Sequence, residues 1–445
     1  MSKKILVANR GEIAVRIIRS CKVMGIPVVA VYTETDQDSF HVTLADEAIF
    51  MEDRRGYLKG ETLIALAQES GCDAIHPGYG FLAENADFAL KCKESGLKFI
   101  GPSAESISAM GLKLEARKLM LDSGVPVVPG SGLIENLECG LAEAEAIGYP
   151  VMIKASAGGG GRGIRVAFDK DQLRELLPAA QKESLAAFGS NEVYLEKYFD
   201  NPRHIEIQII GDHFGNIVHL GERECSIQRR RQKLLEEAPS PVMSEDLRNK
   251  MGNAAVKAAQ AVDYYSCGTV EFLVDENKNY YFLEMNTRIQ VEHPVTEMVT
   301  GYDLIKEQIN IAYGGSLSIK QQDIVMNGWS IECRINAEDY EKNFKPTPGI
   351  IEKFHPPMGP WNRMDTYLVE GIKVTPIFDS LIGKVIVWGC DRDDAISRMR
   401  QALDEMVIEG VPTTASILRM LLDNEDFIAG RFNNNFLEKW LEKSR

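Results

Sequence analysis

The sequence is short of the features that would send it to a membrane, to DNA or to a zinc-knuckle family. No apolar run in its 445 residues approaches the ~18 needed for a membrane-spanning helix. Basic residues are in deficit, with 50 Lys and Arg against 65 Asp and Glu and a net charge of −15. That balance excludes the broad basic surface nucleic acid requires, though not a local cluster holding small anions. Eight cysteines are scattered, none at CxxC spacing and none beside a histidine cluster. A zinc site or disulfide framework is therefore not expected, and the cysteines read as small buried residues in a reducing cytoplasm. The start, "MSKKILVANRGE", reaches charged residues too soon for a secretory leader and reads as a first strand. Internal repeats and low-complexity linkers are absent. At about 150 residues per domain, roughly three packed domains are expected.

What is present begins with alternation of strand and helix. "KILVAN", "IPVVAVY" and "KFIGP" read as strands, and "GEIAVRIIRSCKVMG" and "ETLIALAQESG" as helices. That rhythm predicts a parallel sheet ending near residue 103. "AESISAMGLKLEARKLMLDSG" then reads as one linking helix. A small α/β segment follows from about 131 to 203, with its own helix, "LAEAEAIG". From "NPRHIEIQII" to about residue 390 the pattern is β-branched and aromatic alternation, before a closing helix, "RDDAISRMRQALDEM". The most basic cluster, "RECSIQRRRQK" from Arg223 to Lys233, reads by itself as a solvated face.

The run "KASAGGGGRG", residues 154 to 163, invites a phosphate-binding reading. A Walker A loop needs Lys-Ser/Thr after its last glycine, and Ile164 follows Gly163 instead. Gly158, Gly160 and Gly163 fit GxGxxG, but the dinucleotide version must open a helix. Here "YPVMIKAS" enters as a strand and "IRVAF" leaves as one. The remaining reading is a hairpin with a bare tip, whose amides can approach a phosphate chain with Lys154 at its base. A ligand-free loop fits the run equally well.

A second hairpin, "TVEFLVDENKNYYFLEMNTRIQVEHP" over residues 269 to 294, adds a metal. A two-residue turn at Asn277–Lys278 pairs Val270 with Met285, Phe272 with Leu283 and Val274 with Tyr281. Glu271 then lands opposite Glu284. Two carboxylates across a sheet repel unless a cation lies between them, and all-oxygen ligands suit magnesium or manganese. Asn286 shares that face, and Arg288, Gln290 and Glu292 continue it if the chain stays extended. The plain alternative is an exposed hairpin with two unrelated glutamates.

At this point the motifs resemble the biotin carboxylases of the ATP-grasp fold along essentially the whole chain. The carrying stretches are "ANRGEIAVRIIR", "HPGYGFLAEN", "KASAGGGGRG", "EKYFDNPRHIEIQI", "RECSIQRRRQK", "EMNTRIQVEHPVTE" and "ECRINAED". The resemblance implies an α/β (α+β) architecture: a Rossmann-like parallel-sheet domain (1–112), a helical linker (113–130), a small lid with the glycine hairpin (131–203), an ATP-grasp core (204–330) and a C-terminal domain (331–445). It implies a ligase that uses ATP, Mg2+ (or Mn2+) and bicarbonate to carboxylate biotin on a separate biotin carboxyl carrier protein. Carboxyltransferase subunits would use the product and a homodimer would be the assembly; acetyl-CoA would be the final acceptor, with the subunit of another acyl-CoA carboxylase or of a pyruvate carboxylase as the alternative. No Met-Lys-Met biotinylation site occurs in the sequence.

The resemblance also implies roles. Lys113 and Lys154 would hold ATP phosphates under Gly160 and Gly161. Glu196, Lys197, Tyr198 and Phe199 would form the adenine hinge, with His204 and Gln228 near the nucleotide. Glu271, Glu284 and Asn286 would bind metal. Lys233, Arg288, Gln290, Arg334 and the Val291 backbone would hold bicarbonate. Glu292 would be the general base, kept ionised by Arg288, and Arg334 would stabilise the biotin enolate with Tyr79 beside it. Arg231 departs from the pattern, standing where many relatives carry a histidine that contacts nucleotide; an arginine is no imidazole substitute. Read from the residues alone, His76 and Tyr79 are structural, Lys113 is the solvent side of a helix, and Arg334 is a surface arginine on the polar face of "SIECRINAED". Rival readings are another ATP-grasp ligase and a non-catalytic nucleotide binder. "ECRINAED" and the full set of charged site residues argue against them.

Overall fold

The computed structural model describes residues 3–156 and 164–443. Gly160 and Gly161, expected to close over phosphate, and Arg162 lie outside the described residues.

The N-terminal alternation folds as expected. Five parallel strands lie in the order Glu47–Phe50, Val28–Tyr32, Ile5–Val7, Ala74–His76, Lys98–Phe99. This is the dinucleotide-fold order, with ligands favoured beyond the strands' carboxyl ends. There the chain turns at Gly11 (φ +65°) into helix Gly11–Val23. Asn9 pins the turn by donating to the carbonyls of Pro77 and Tyr79 at 2.6 and 2.7 Å. The helix is buried on nearly every side because it packs against helix Leu304–Ala312 and strand Asn362–Thr366 as well as its own sheet.

The expected linking helix is two helices, Ala104–Gly111 and Lys113–Asp122. Leu112 is extended (φ −97°, ψ 100°) after Gly111, a weak helix residue, so the axis breaks and Lys113 opens a new first turn. A four-stranded sheet follows, ordered Gly130–Leu133, Val193–Lys197, Val151–Ala155, Arg165–Ala167. Its last two strands form the antiparallel hairpin predicted on either side of the glycine run.

The rest is built on one eight-stranded antiparallel sheet. Its order is Tyr280–Asn286, Ser266–Val274, Arg203–Gly211, Ile217–Arg229, Gln232–Ala238, Trp329–Asn336, Leu381–Gly389, Asn362–Thr366. The stretch expected to be continuous β alternation also contains helices Glu245–Gln260, His293–Thr300 and Leu304–Ala312. The first is alanine-rich and capped by Ser244, whose side chain accepts from Leu247 N, with Glu245 and Asp246 complementing the helix dipole. Period-2 alternation sorts the sheet's faces. Ile205, Ile207 and Ile209 bury against Met251, Ala255 and Ala258, while His204, Glu206 and Gln208 face the other way. That polar yet buried face is the floor of the site.

Two histidines of the parallel-sheet domain are buried and neutral. Burial pushes His41 down to about 4 against the pull of Asp36, and burial pushes His76 down to about 3. An unfolded histidine titrates near 6.5, so the unfolded chain takes up protons that the folded state refuses. The His41 contribution is complete above about pH 6.5 and is lost as pH falls toward about 4, a difference of about 3 kcal/mol. Urea unfolding at pH 7 and pH 5 should show about 2 kcal/mol of this loss, the rest following below pH 5, and His41→Asn should flatten the slope. An unchanged slope would contradict the assignment.

Candidate active site

The polar face carries a row of acids from several strands. Glu206 lies across from Glu271 on one side and from Arg223 on the other. Arg223 has no exposed side-chain surface; its Nε donates to Glu206 Oε1 at 2.5 Å, and its other nitrogens donate to Gln208, Thr269, Gln290 and Thr296. The basic cluster read as a solvated face thus starts with a wholly buried arginine. Arg230 and Arg231 form its turn, with φ of +49° and +66°, and both are exposed. Just past that turn, Leu234 is an extra residue where the register shifts between Ile227 and Gln228. Such a bulge flips side-chain parity, and it brings Lys233 and Glu236 to the same side.

Lys233 Nζ donates to Glu206 Oε2 (2.6 Å), Glu292 Oε1 (2.6 Å) and Glu271 Oε1 (3.1 Å). Arg334 Nε donates to Glu236 Oε1 at 2.6 Å and its Nη2 to Glu292 Oε2 at 2.8 Å. Glu292 is therefore gripped at both oxygens. Burial would raise its pKa, but Lys233, Arg334 and Arg223 outweigh burial and hold it well below the carboxylate range. Two close-set acid groups, His204–Glu206–Glu271 and Glu206–Cys225–Glu292, have metal-like spacing. The Lys233 ammonium bonded to Glu206, Glu271 and Glu292 accounts for their approach without an ion.

The Glu271–Glu284 pairing inferred from the turn is present. Beyond it the register shifts at Leu283, so Phe272 faces Phe282 and Val274 faces Tyr280, in place of Leu283 and Tyr281. The cause is a longer turn: Asp275 accepts from the amides of Asn277 and Asn279, and its own amide donates to Asn279 O. Glu271 is held below the carboxylate range; burial opposes this, but Lys233 and His204, whose Nε2 lies 2.9 Å away, prevail. Glu284 is raised by burial and by Glu271, with Lys113 pulling the other way. Among the described residues no donor reaches the Glu284 carboxylate. A hard divalent cation fits that donor set: an ionised carboxylate facing a second that lacks a proton donor. Asn286 closes one end, donating to Glu271 at 2.9 Å and accepting from Arg288 at 3.0 Å.

The chain does not stay extended after Asn286. Glu292 sits at the N-cap position of helix His293–Thr300, with φ −82° and ψ 8°. Arg288 turns to Glu84, 3.0 Å from its Nε, and acts on Glu292 only through space, whereas Lys233 and Arg334 bond to it directly. Gln290 Nε2 donates to Glu271 at 2.8 Å, and the Val291 carbonyl accepts from Lys384. Arg334 is two-way bonded within the site, not a surface residue.

The nucleotide candidates divide. Lys154 Nζ pairs with Glu196, whose strand is next to its own. Lys197 turns away, its Nζ donating to the carbonyls of Gly148 and Tyr149 at 2.8 and 2.9 Å. Tyr198 packs edge-on to Phe168, and Phe199 stacks on Tyr281 at 4.9 Å. Gln228 is buried across from Lys233. Lys113 is exposed at the first turn of its helix. Arg231, on its exposed turn, has φ +66°. Tyr79 donates to Glu12 at the edge of a cavity of about 120 Å³ lined by Asn9, Arg10 and Asp379. His76 is buried, its Nδ1 accepting from Gly78 N at 3.1 Å. Sequence reading passed over Glu206, Arg223, Glu236, Glu84 and Lys384. The signal for Glu206 was legible as the one acid in "HIEIQII"; for the others the partner is distant in sequence.

Comparison with known proteins identifies the family and the fold. Residues 1–107 match the biotin carboxylase N-terminal domain, 113–320 the carbamoyl-phosphate synthase L chain ATP-binding domain, and 332–439 the biotin carboxylase C-terminal domain. Biotin carboxylase 1 of Bacillus subtilis is 56% identical over 445 residues, covering 99% of each chain. The 2-oxoglutarate carboxylase small subunit of Hydrogenobacter thermophilus is 51% identical, over 99% of this chain and 94% of that protein. A crystal structure of the biotin carboxylase domain dimer of that carboxylase, with MgADP, ADP and bicarbonate, superposes at a TM-score of 0.93 with 50% identity, covering 98% and 97% of the chains. The Campylobacter jejuni biotin carboxylase β,γ-ATP complex gives 0.93 at 47% identity, covering 98% of each chain. Matched from end to end in sequence and in backbone, this chain belongs to the biotin carboxylases, ATP-dependent ligases of the ATP-grasp fold.

Proposed function

We propose that the chain carboxylates biotin on a separate biotin carboxyl carrier protein, as the first half-reaction of acetyl-CoA carboxylase, and works as a homodimer. The observation that carries this reading is the Glu292 carboxylate suspended between Lys233 and Arg334. Bicarbonate is an anion that must lose a proton to attack the γ-phosphorus of ATP. A carboxylate flanked by two cations suits that step, because the cations hold the anionic substrate and the base stands within reach of its proton. Lys233, Arg288 and Gln290 bind bicarbonate together with the Val291 amide. Glu271, Glu284 and Asn286 would hold a divalent ion, which would supply charge neutralisation at the phosphates. Lys113 and Lys154 add positive charge from two other elements. His204, Gln228 and the 196–199 segment bound the nucleotide, with Lys197 contributing through its backbone.

The carboxyphosphate so formed is labile in water, which gives the glycine hairpin its role as cover. Its breakdown yields CO2 and phosphate at the site. That phosphate takes the ureido proton of biotin, and the nitrogen attacks CO2. Arg334 stabilises the oxygen of the biotin enolate, with Tyr79 beside the ring. None of these groups touches the final acceptor. Relatives include the 2-oxoglutarate carboxylase protein named above. They also include one component of the pyruvate carboxylase of Methanothermobacter thermautotrophicus, 48% identical over 99% of this chain and 90% of that protein. The acceptor is therefore read out by reconstitution with carrier and carboxyltransferase, measuring malonyl-CoA against the carboxylated keto acids.

Bicarbonate-dependent ATP cleavage should rise when free biotin is added; stimulation by another acceptor and not by biotin would sink the reading. Glu292→Gln should bind ATP as the parent does and lose about 100-fold or more in turnover. A loss of ATP binding instead would show that the residue serves the nucleotide. Glu284→Gln should raise the Mg2+ concentration needed for half-maximal rate, and an unchanged requirement would remove it from the metal site.

A further inference from the structure

Behind the 290–292 segment stands a lysine that the chemistry above leaves unused. Lys384 is mid-strand in Leu381–Gly389, and its side chain has no exposed surface. Its register partners are Arg334 on one side and Asp365 on the other. A leucine or methionine would fill such a position without needing a buried counter-charge. The lysine instead donates from Nζ to the Val291 carbonyl and lies 3.2 Å from Glu12 Oε1. Glu12, itself buried at the start of helix Gly11–Val23, also accepts from the Tyr79 hydroxyl. One ammonium therefore ties together the N-terminal helix, the "HPGYGF" loop and the segment that carries Glu292.

The Val291 carbonyl and the Glu292 amide belong to one planar peptide group. Fixing that oxygen fixes the plane from which the Glu292 side chain departs. At the other end, the carboxylate meets Lys233 at 2.6 Å and Arg334 at 2.8 Å. Those two contacts demand an accurate origin, because small misplacements of a reacting group cost large factors in rate. We infer that Lys384 is a positioning residue for the proton-accepting step: through the Val291 carbonyl it holds Glu292 between Lys233 and Arg334, and Glu12 holds Lys384. The inference rests on the reading of Glu292 as the base.

A buried lysine can also serve only to neutralise its neighbours, so the test separates the two roles. Lys384→Met alone leaves Glu12 without its cation, and a drop in melting temperature is expected. The double variant Glu12→Gln/Lys384→Met removes one charge of each sign, leaving Glu332 and Asp365 without Lys384, and does not restore the bond to Val291. It should melt near the parent temperature and keep the parent KM for ATP. Its kcat for bicarbonate-dependent ATP cleavage should remain lower by on the order of 10–100-fold, with a raised KM for bicarbonate. Parent-like kcat and bicarbonate KM in the double variant would overturn the positioning role. So would a double variant that does not fold, since Lys384 would then belong to the core. Glu292→Gln assayed alongside keeps the two readings apart: an active Glu292→Gln removes the base itself, whereas a dead Glu292→Gln beside a fully active double variant removes only Lys384.

Discussion

The Lys233 ammonium, shared among Glu206, Glu271 and Glu292, is the contact on which the rest of the site depends. Each of those carboxylates is buried, and each comes from a different segment. Without the cation they would repel one another, and burial would protonate them. With it, Glu271 remains an anion available to a metal and Glu292 an anion available to a proton. The same charge also attracts an anionic substrate, so one residue assembles the site and prepares it for bicarbonate.

Buried ion pairs are poor sources of stability, because desolvation offsets much of the attraction. This site limits the cost by satisfying many of its groups. Arg223 reaches Glu206, Gln208, Thr269, Thr296 and Gln290. Asn286 and Gln290 both donate to Glu271 Oε1. Glu284 lacks a donor among the described residues and lies where a divalent cation belongs, while Glu236 Oε2 and the Glu332 carboxylate oxygens are buried without a hydrogen-bond partner.

Two bulges aim this network. At Leu283 the register change leaves Glu271 opposite Glu284 while re-pairing the apolar residues beyond it. At Leu234 it turns Lys233 toward Glu206 and Glu236 toward Arg334, which plain alternation would send to opposite faces. The alternation of the parallel sheet and the glycine-flanking hairpin were legible because strand periodicity is local, whereas the Glu271–Glu284 pair is set by the bulge at Leu283, which offsets a turn longer than the two residues the sequence suggests. Leu112 was not legible as a break, since glycine is tolerated in helices and the surrounding apolar spacing continues through it. Continuing the Asn286 face through Arg288 and Glu292 assumed an extended chain, and the bend into helix His293–Thr300 brings Arg288 to Glu84.

By itself the sequence determined the strand–helix alternation of the first hundred residues, much of the strand-face pattern, and, through the resemblance of seven motifs, the family. Only the tertiary structure decided which faces meet. Lys233 and Glu206 are 27 residues apart, Arg334 and Glu236 are 98, and Lys384 and Val291 are 93. Periodicity carries no record of such distances, because Coulomb attraction and hydrogen bonds act through space and not along the chain. The basic run at Arg223 makes the point within one stretch. Its first residue is buried against Glu206 and its turn residues are exposed, although the sequence presents them as a single positive segment.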